Sequence, residues 1–190
     1  FAEGEINLEV ADSPFNTKKV VSDELADRIL EMGEDDDYDA LVVRVNSPGG
    51  SSYISEQLWY AVHKASENKP VVISMGDYAA SGGYYMSSGA SYIFAEPSTI
   101  TGSIGIFGVV PNATKLANKV GVHQDVVKTA QHADLGALDR PWTDEERALF
   151  QQYVNRGYEL FLKRVSEGRG MTRDQVDSIA QGRVWTGAQA

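Results

Sequence analysis

Apolar and polar residues follow one another along the first half of the chain in repeated strand-like and helix-like segments. Four apolar runs predict strands: 6–10, 40–45, 71–75 and 92–95. Between them, apolar residues at helical spacing predict three helices: one capped by Ser22, one over 54–65 and one that begins at Ser81. Strands that alternate with helices in this way indicate an α/β fold with a mostly parallel sheet flanked by helices. The continuous run at 40–45 further predicts a strand that is buried on both faces.

The middle of the chain has a different pattern. Residues 101–108 are glycine-rich and apolar, which predicts a strand with a close backbone neighbour. Asn112 is placed to cap a short helix. Residues 125–128 predict a short strand.

The last third of the chain predicts two helices that contribute to the core. Residues 143–146 form a capping box before a long helix that Gly168 is expected to end, and 172–175 cap the second helix. The chain contains no internal repeat and no linker-like segment, so residues 1–190 predict a single domain. The start at Phe1 and the end at Ala190 indicate a fragment of a longer protein.

Composition excludes several kinds of function. The chain of 190 residues carries a net charge of −10, which argues against a nucleic-acid partner. Cysteine is absent, which excludes disulfides and thiol catalysis, and the three histidines do not have metal-binding spacing. We therefore expect no metal and no cofactor. No apolar stretch reaches the length of about 20 residues that a membrane helix needs.

Ser81 is the strongest candidate for a nucleophile. It stands between small residues at a predicted strand-to-helix turn, where a serine side chain is exposed and a substrate backbone can approach closely. A second loop, 46–50 (Asn-Ser-Pro-Gly-Gly), follows the preceding strand and offers backbone N–H groups. Such amides can hold the negative charge that develops during acyl transfer, although the same loop could be a simple turn.

The sequence does not decide which residue is the base that would activate Ser81. The histidine candidates are His63, His123 and His132, the last of which lies close to Asp134. A lysine is the alternative, and it can act as a base near neutral pH only if burial lowers its pKa by about 3. Lys128 differs from the other lysines, because it follows the apolar pair Val126-Val127 and precedes the small residues Thr129-Ala130, and this apolar neighbourhood is expected to supply that burial.

Four stretches together resemble the signal peptide peptidase A family (protease IV, peptidase family S49) of the ClpP/crotonase superfamily. They are 40–52, 78–85, 97–105 and 182–187, and they span nearly the whole chain in the correct order. The resemblance implies repeated ββα/βαβ units of the ClpP/crotonase type, with a mostly parallel sheet and a helical C-terminal part. It also implies a serine endopeptidase that uses a Ser–Lys dyad and forms an acyl-enzyme.

The resemblance also implies roles for individual residues. Ser81 would be the nucleophile and Lys128 the general base, and Ser103 would orient the lysine. The oxyanion would be held by Gly49, Gly50 and Gly82. An extended peptide would bind along the 102–108 strand by strand addition, at Gly102, Ile104 and Gly105.

The same resemblance implies a setting for the protein. Members cleave the remnants of signal peptides or other hydrophobic peptides, assemble into homo-oligomeric rings and are anchored in the bacterial inner membrane, with the catalytic part facing the periplasm or the outside. Long members contain two tandem units, in which the lysine comes from the first unit and the serine from the second. This chain resembles the second unit, so a lysine outside it is the alternative to Lys128.

Two other functions are compatible with parts of the sequence. A crotonase-type acyl-CoA enzyme shares the oxyanion loop but needs no serine nucleophile, and the block around Ser81 argues against it. An inactive unit that supports a larger assembly would need neither Ser81 nor a base.

Overall fold

The computed structural model describes residues 1–8 and 19–190 of the chain. The elements in chain order are β1 Ala2–Glu3, β2 Glu5–Ile6, β3 Val20–Val21, α1 Glu24–Glu34, β4 Leu41–Ser47, α2 Ser52–Asn68, β5 Val71–Ala80, α3 Gly82–Ser87, β6 Tyr92–Phe94, β7 Ile100–Gly102, α4 Thr114–Lys119, α5 Asp144–Arg169, α6 Arg173–Ile179 and β8 Val184–Thr186. Of the predicted strand at 6–10, Ile6 lies in β2 and residues 7 and 8 are not in a strand, whereas residues 9 and 10 lie outside the described residues. The chain divides into two compact units: unit 1 is Phe1–Gly105 with Tyr158–Ala190, and unit 2 is Ile106–Gly157.

Unit 1 is built on a mostly parallel sheet, as the sequence predicted. Its strands run in the order β1-β4-β5-β7-β8, and β6 also pairs with β5. All of these pairs are parallel except β7 with β8. A separate parallel pair joins β2 to β3.

The core of unit 1 lies between one face of this sheet and helices α1 and α2. Val43, Val45 and Ile73 of the sheet pack in the same buried cluster as Ile54 and Leu58 of α2. The prediction that 40–45 is buried on both faces is wrong, because Val42 on the opposite face is 72% exposed. An apolar run therefore forms a strand with one buried face in this part of the chain.

A second cluster in unit 1 joins α3 to the C-terminal half of α5 and to α6. The Tyr85 ring lies 4.5 Å from that of Phe161, and both side chains are buried. Gly168 lies so close to α3 that a Cβ there would be 1.8 Å from the carbonyl oxygen of Ser88. Gly168 thus serves close packing, and the prediction that it ends the helix is wrong: α5 continues to Arg169, and Gly170 takes the left-handed conformation.

Other boundaries differ from the sequence predictions for local reasons. Helix α1 begins after Asp23, one residue later than the expected cap at Ser22. The predicted strand at 101–108 is wrong beyond Gly102, because Gly102 and Ser103 both have positive φ angles that turn the chain out of the extended conformation. The capping boxes at Thr143 and Thr172 are both present.

Unit 2 contains α4 and the first part of α5. Asn112 Oδ1 accepts hydrogen bonds from the backbone and the hydroxyl of Thr114, where α4 begins. Residues 125–128 form no strand, so that prediction is wrong. Among the described residues, no helix combines the length and the hydropathy that crossing a bilayer requires.

Candidate active site

Ser81 stands at the sharp turn between β5 and α3, as the sequence predicted. Its backbone angles, φ 51° and ψ −119°, are rare for a residue with a side chain, and conformations of this kind cost about 1–3 kcal/mol. The turn is held on both sides: Ser81 N donates to Gly102 O (2.9 Å), and Ser81 O accepts from Tyr85 N (2.8 Å). Such strain is characteristic of functional sites, where surrounding contacts keep one side chain in a fixed position.

Gly49 lies directly against Ser81. A Cβ at position 49 would be 2.8 Å from Ser81 Cβ and 2.6 Å from Gly82 N, and φ at Gly49 is +99°. Both facts require glycine there. The structure therefore brings the glycine loop and the serine turn together, as their order in the sequence suggested.

The amides around Ser81 differ in availability. The N–H of Gly49 donates to the buried hydroxyl of Ser47 (3.2 Å). The N–H groups of Gly50 and Gly82 donate to no acceptor within residues 1–8 and 19–190. Of the three predicted oxyanion donors, Gly50 and Gly82 are thus the ones whose N–H groups have no acceptor in the described part of the chain.

Ser47 is a residue that the sequence reasoning missed. Besides receiving the N–H of Gly49, it contacts α3, because a Cβ at Gly83 would lie 2.7 Å from Ser47 O. Its position inside the 46–50 loop was the only signal that could have pointed to it.

Ser103 lies next to Ser81 in the sheet register. Ala80 pairs with Gly102, and each serine follows its member of that pair by one residue. Ser103 also has a positive φ (49°), and its N–H donates to Arg183 O (2.7 Å). This tertiary pairing of β5 with β7 places the two serines at neighbouring positions.

The segment that follows Ser103 is packed into the protein. The side chain of Ile104 is only 3% exposed, and Ile104 O accepts from Gly182 N (2.9 Å). A Cβ at Gly105 would lie 3.0 Å from Gly182. Both edges of β7 are already paired, with β5 and with β8. An extended peptide could therefore add to this segment only beyond Gly102, and not through the Ile104 side chain.

Lys128 belongs to unit 2, and its surroundings differ from the expected apolar ones. Its Nζ lies 3.1 Å from Asp134 Oδ1, and its side chain is 39% exposed. The neighbouring Val127 is 98% exposed and supplies no burial within the described chain. Hydrogen bonds from Arg140 hold the pKa of Asp134 well below its usual range, so this carboxylate faces the lysine as an anion.

The histidines make other contacts. The ring of His63 stacks on Trp59 at 4.7 Å, and His132 Nε2 lies 3.4 Å from Glu145 Oε1. The expected partner of His132, Asp134, instead binds Lys128 and Arg140. None of the contacts of the described residues joins a histidine to Ser81.

Unit 2 contains a cavity of about 650 Å³ that is lined by both apolar and polar side chains. Phe107, Val110, Trp142 and Phe150 are among the apolar ones, and Asn112, Arg147 and Gln151 are the polar ones. The described residues contain no group of three or more histidine and acidic side chains that could hold a metal ion.

Comparison with known proteins gives consistent matches over most of the chain. The model of a family described as peptidase family S49 matches residues 63–190. Protease 4 of Haemophilus influenzae is 42% identical over 193 residues, which cover 97% of this chain and 30% of that protein. The chloroplastic serine protease SPPA of Arabidopsis thaliana is 38% identical over 172 residues, 90% of this chain and 25% of that protein. The chain thus spans about a quarter to a third of the length of these relatives.

Solved structures confirm the fold class. A mutant of ClpP1 from Listeria monocytogenes is similar with a TM-score of 0.54 at 14% identity, over 100% of this chain and 82% of that one. A mutant of the 1510-N membrane-bound stomatin-specific protease has a TM-score of 0.55 at 15% identity, over 88% and 67%. At these identities the likeness concerns the fold, which is ClpP-like.

Proposed function

This chain belongs to peptidase family S49, and on that premise we propose that it is a serine peptidase module in which Ser81 is the nucleophile. The observation that carries the proposal is the strained turn that holds Ser81 against Gly49, together with the N–H groups of Gly50 and Gly82, which have no acceptor among residues 1–8 and 19–190. A nucleophile next to preorganised donors is the arrangement that acyl transfer requires.

The proposed chemistry has two steps. Ser81 Oγ attacks the peptide carbonyl carbon as its proton passes to a base, and the carbonyl oxygen becomes an anion within reach of the N–H groups of Gly50 and Gly82. The C–N bond then breaks, the amine leaves with the proton from the base, and an ester on Ser81 remains. Water, deprotonated by the same base, hydrolyses that ester and restores the serine.

We propose a lysine amine as the base, with Lys128 as the candidate within this chain. Its family position supports the assignment, whereas its exposure and its ion pair with Asp134 weigh against it. To act, Lys128 would have to leave Asp134 and become desolvated. The alternative is a lysine from the part of the protein beyond the matched length, since the chain spans only 25–30% of its relatives.

The proposed substrates are hydrophobic peptides such as cleaved signal peptides. The aromatic side chains of Phe107, Trp142 and Phe150 in the cavity of unit 2 support this class, because they can bind apolar side chains of a peptide while the polar residues of the same lining bind its backbone. We further propose that residues 1–190 act as one peptidase module of a homo-oligomeric, membrane-anchored protein at the bacterial inner membrane, with the module facing the periplasm or the outside.

The test compares wild-type protein with Ser81→Ala and Lys128→Ala, using a fluorophosphonate probe and a fluorogenic hydrophobic peptide. We expect the probe to label wild type and not Ser81→Ala, while circular dichroism shows both to be folded. Loss of turnover in Lys128→Ala would support Lys128 as the base, whereas full turnover would assign that role to another lysine. Folded wild type that neither reacts with the probe nor cleaves peptide would point to a base outside residues 1–190 or to the non-catalytic scaffold, and binding of coenzyme A would favour the crotonase-type enzyme.

A further inference from the structure

Strand β5 contains a bulge directly before Ser81. Val45 pairs with Met75, and the next pair along β4 and β5 is Ser47 with Ala79. One residue of β4 therefore lies opposite a three-residue stretch of β5. A bulge leaves backbone groups without ladder partners and changes the register of all residues that follow it.

Two side chains bind the backbone groups that this bulge leaves unpaired. Asn46 Oδ1 accepts a hydrogen bond from Tyr78 N (3.1 Å). The buried hydroxyl of Thr99 donates to Gly76 O (2.8 Å). A Cβ at Gly76 would lie 2.9 Å from Asn46 Oδ1, so the asparagine side chain fills the space beside the bulge.

The bulge determines which residue of β5 lies level with Gly49. Without the bulge, the register of Val45 with Met75 would continue, and Asp77 would lie opposite Ser47. Ser81 would then lie two residues beyond the position opposite Gly49. Two residues of a strand correspond to about 7 Å. With the bulge, Ser81 is level with Gly49, as the distance of 2.8 Å between Ser81 Cβ and the position of a Cβ on Gly49 confirms.

We propose that Asn46 and Thr99 are positioning residues, which hold the bulge and thereby align Ser81 with the amide donors of the glycine loop. The inference rests on the proposed role of Ser81. Both residues act through the backbone of β5, and neither is assigned a contact with substrate.

The main test uses Asn46→Ala and Asn46→Asp in the intact protein. The aspartate keeps an oxygen that can accept the Tyr78 N–H, whereas alanine removes it. The matched control is Ser91→Ala, because Ser91 Oγ accepts from Val71 N (3.2 Å) at the opposite end of β5. Two quantities are measured: the rate at which a fluorophosphonate labels Ser81, and the hydrogen-exchange rate of the Tyr78 amide by NMR.

We expect Asn46→Ala to lower the labelling rate by about 100-fold, the effect of a misplacement near 1 Å. Exchange at Tyr78 should rise about tenfold, as for the loss of one hydrogen bond. Asn46→Asp should restore both rates, and Ser91→Ala should change neither. Thr99→Val should lower the labelling rate as Asn46→Ala does, because it removes the bond to Gly76 O, and Thr99→Ser should restore that rate.

Labelling of Asn46→Ala at the wild-type rate, or a loss that Asn46→Asp does not restore, would overturn the inference. If wild type itself is not labelled, the proposed function fails and the positioning is judged by a crystal structure of folded Asn46→Ala. If Ser47 of β4 still pairs with Ala79 of β5 in that crystal structure, the inference is overturned. If the register of β4 and β5 has shifted, the inference is supported.

Discussion

Replacing Gly49 with alanine is expected to remove activity while the protein still folds. A Cβ at this position would lie 2.6 Å from Gly82 N, 2.8 Å from Ser81 Cβ and 2.9 Å from Ala80 O, whereas ordinary contacts begin at 3.4 Å. All three neighbours belong to the turn that carries the nucleophile. Relief of these contacts must therefore move either the glycine loop or Ser81 itself.

The size of the effect follows from the distances. The shortfall from ordinary contact is 3.4 − 2.6 = 0.8 Å at Gly82 N and 3.4 − 2.8 = 0.6 Å at Ser81 Cβ. A displacement near 1 Å costs about 100-fold in rate, or about 2.7 kcal/mol of activation free energy. Because φ at position 49 is +99°, an alanine there is also strained, and we expect the free energy of unfolding of the variant to fall by about 1–3 kcal/mol.

Gly136 offers a matched control for the backbone cost. Its φ is +95°, and a Cβ there would have no neighbour within 4 Å. The kcat/KM for a fluorogenic peptide and the thermal melt are measured for Gly49→Ala and Gly136→Ala. We expect similar losses of stability but a loss of activity only in Gly49→Ala. Activity of Gly49→Ala within about threefold of wild type, or an equal loss in Gly136→Ala, would refute the reasoning.

Three further predictions concern stability. Hydrogen bonds from Arg140 lower the pKa of Glu146 from 4.5 to about 2, so their contribution is complete above pH 4.5 and is lost as the pH falls towards 2. In urea titrations, the free energy of unfolding of Arg140→Gln should fall less than that of wild type between pH 4.5 and pH 2. An equal fall in both proteins would contradict the role of Arg140 in lowering the pKa of Glu146. Gly168→Ala should destabilise the protein by about 2 kcal/mol or more, because its Cβ would lie 1.8 Å from a carbonyl oxygen. Gly157→Ala in the same helix, with its nearest neighbour at 3.6 Å, should instead stabilise by up to about 1 kcal/mol in thermal melts. Thr172→Ala should cost about 1 kcal/mol of unfolding free energy through loss of the capping box, and a change below the error of the titration would refute that role.

Local features were predictable because they depend on residues close together in sequence. The capping boxes at Thr143 and Thr172 each place donor and acceptor three residues apart, within one helical turn. The turn at Ser81 was recognisable from an apolar run followed by small residues, whereas its strained backbone conformation is held by contacts with Gly49 and Gly102 from other segments. The order of strands and helices followed from hydrophobic periodicity in the same way.

Pairings between distant segments were decided only by the tertiary structure. Val42 is exposed because no element of the described chain covers its face of the sheet, and no local pattern reports that. The bulge in β5 depends on two residues from other segments, Asn46 of β4 and Thr99 directly before β7.

The sequence by itself thus determined the α/β class, the capping boxes at Thr143 and Thr172 and the identity of the candidate nucleophile, because periodicity, capping and turn chemistry are local. The tertiary structure decided the level at which Ser81 meets Gly49, which amides remain free, and which strand edges are already paired. Strand register is a long-range property: a slip of two residues leaves the local pattern of each strand unchanged and moves the nucleophile by about 7 Å.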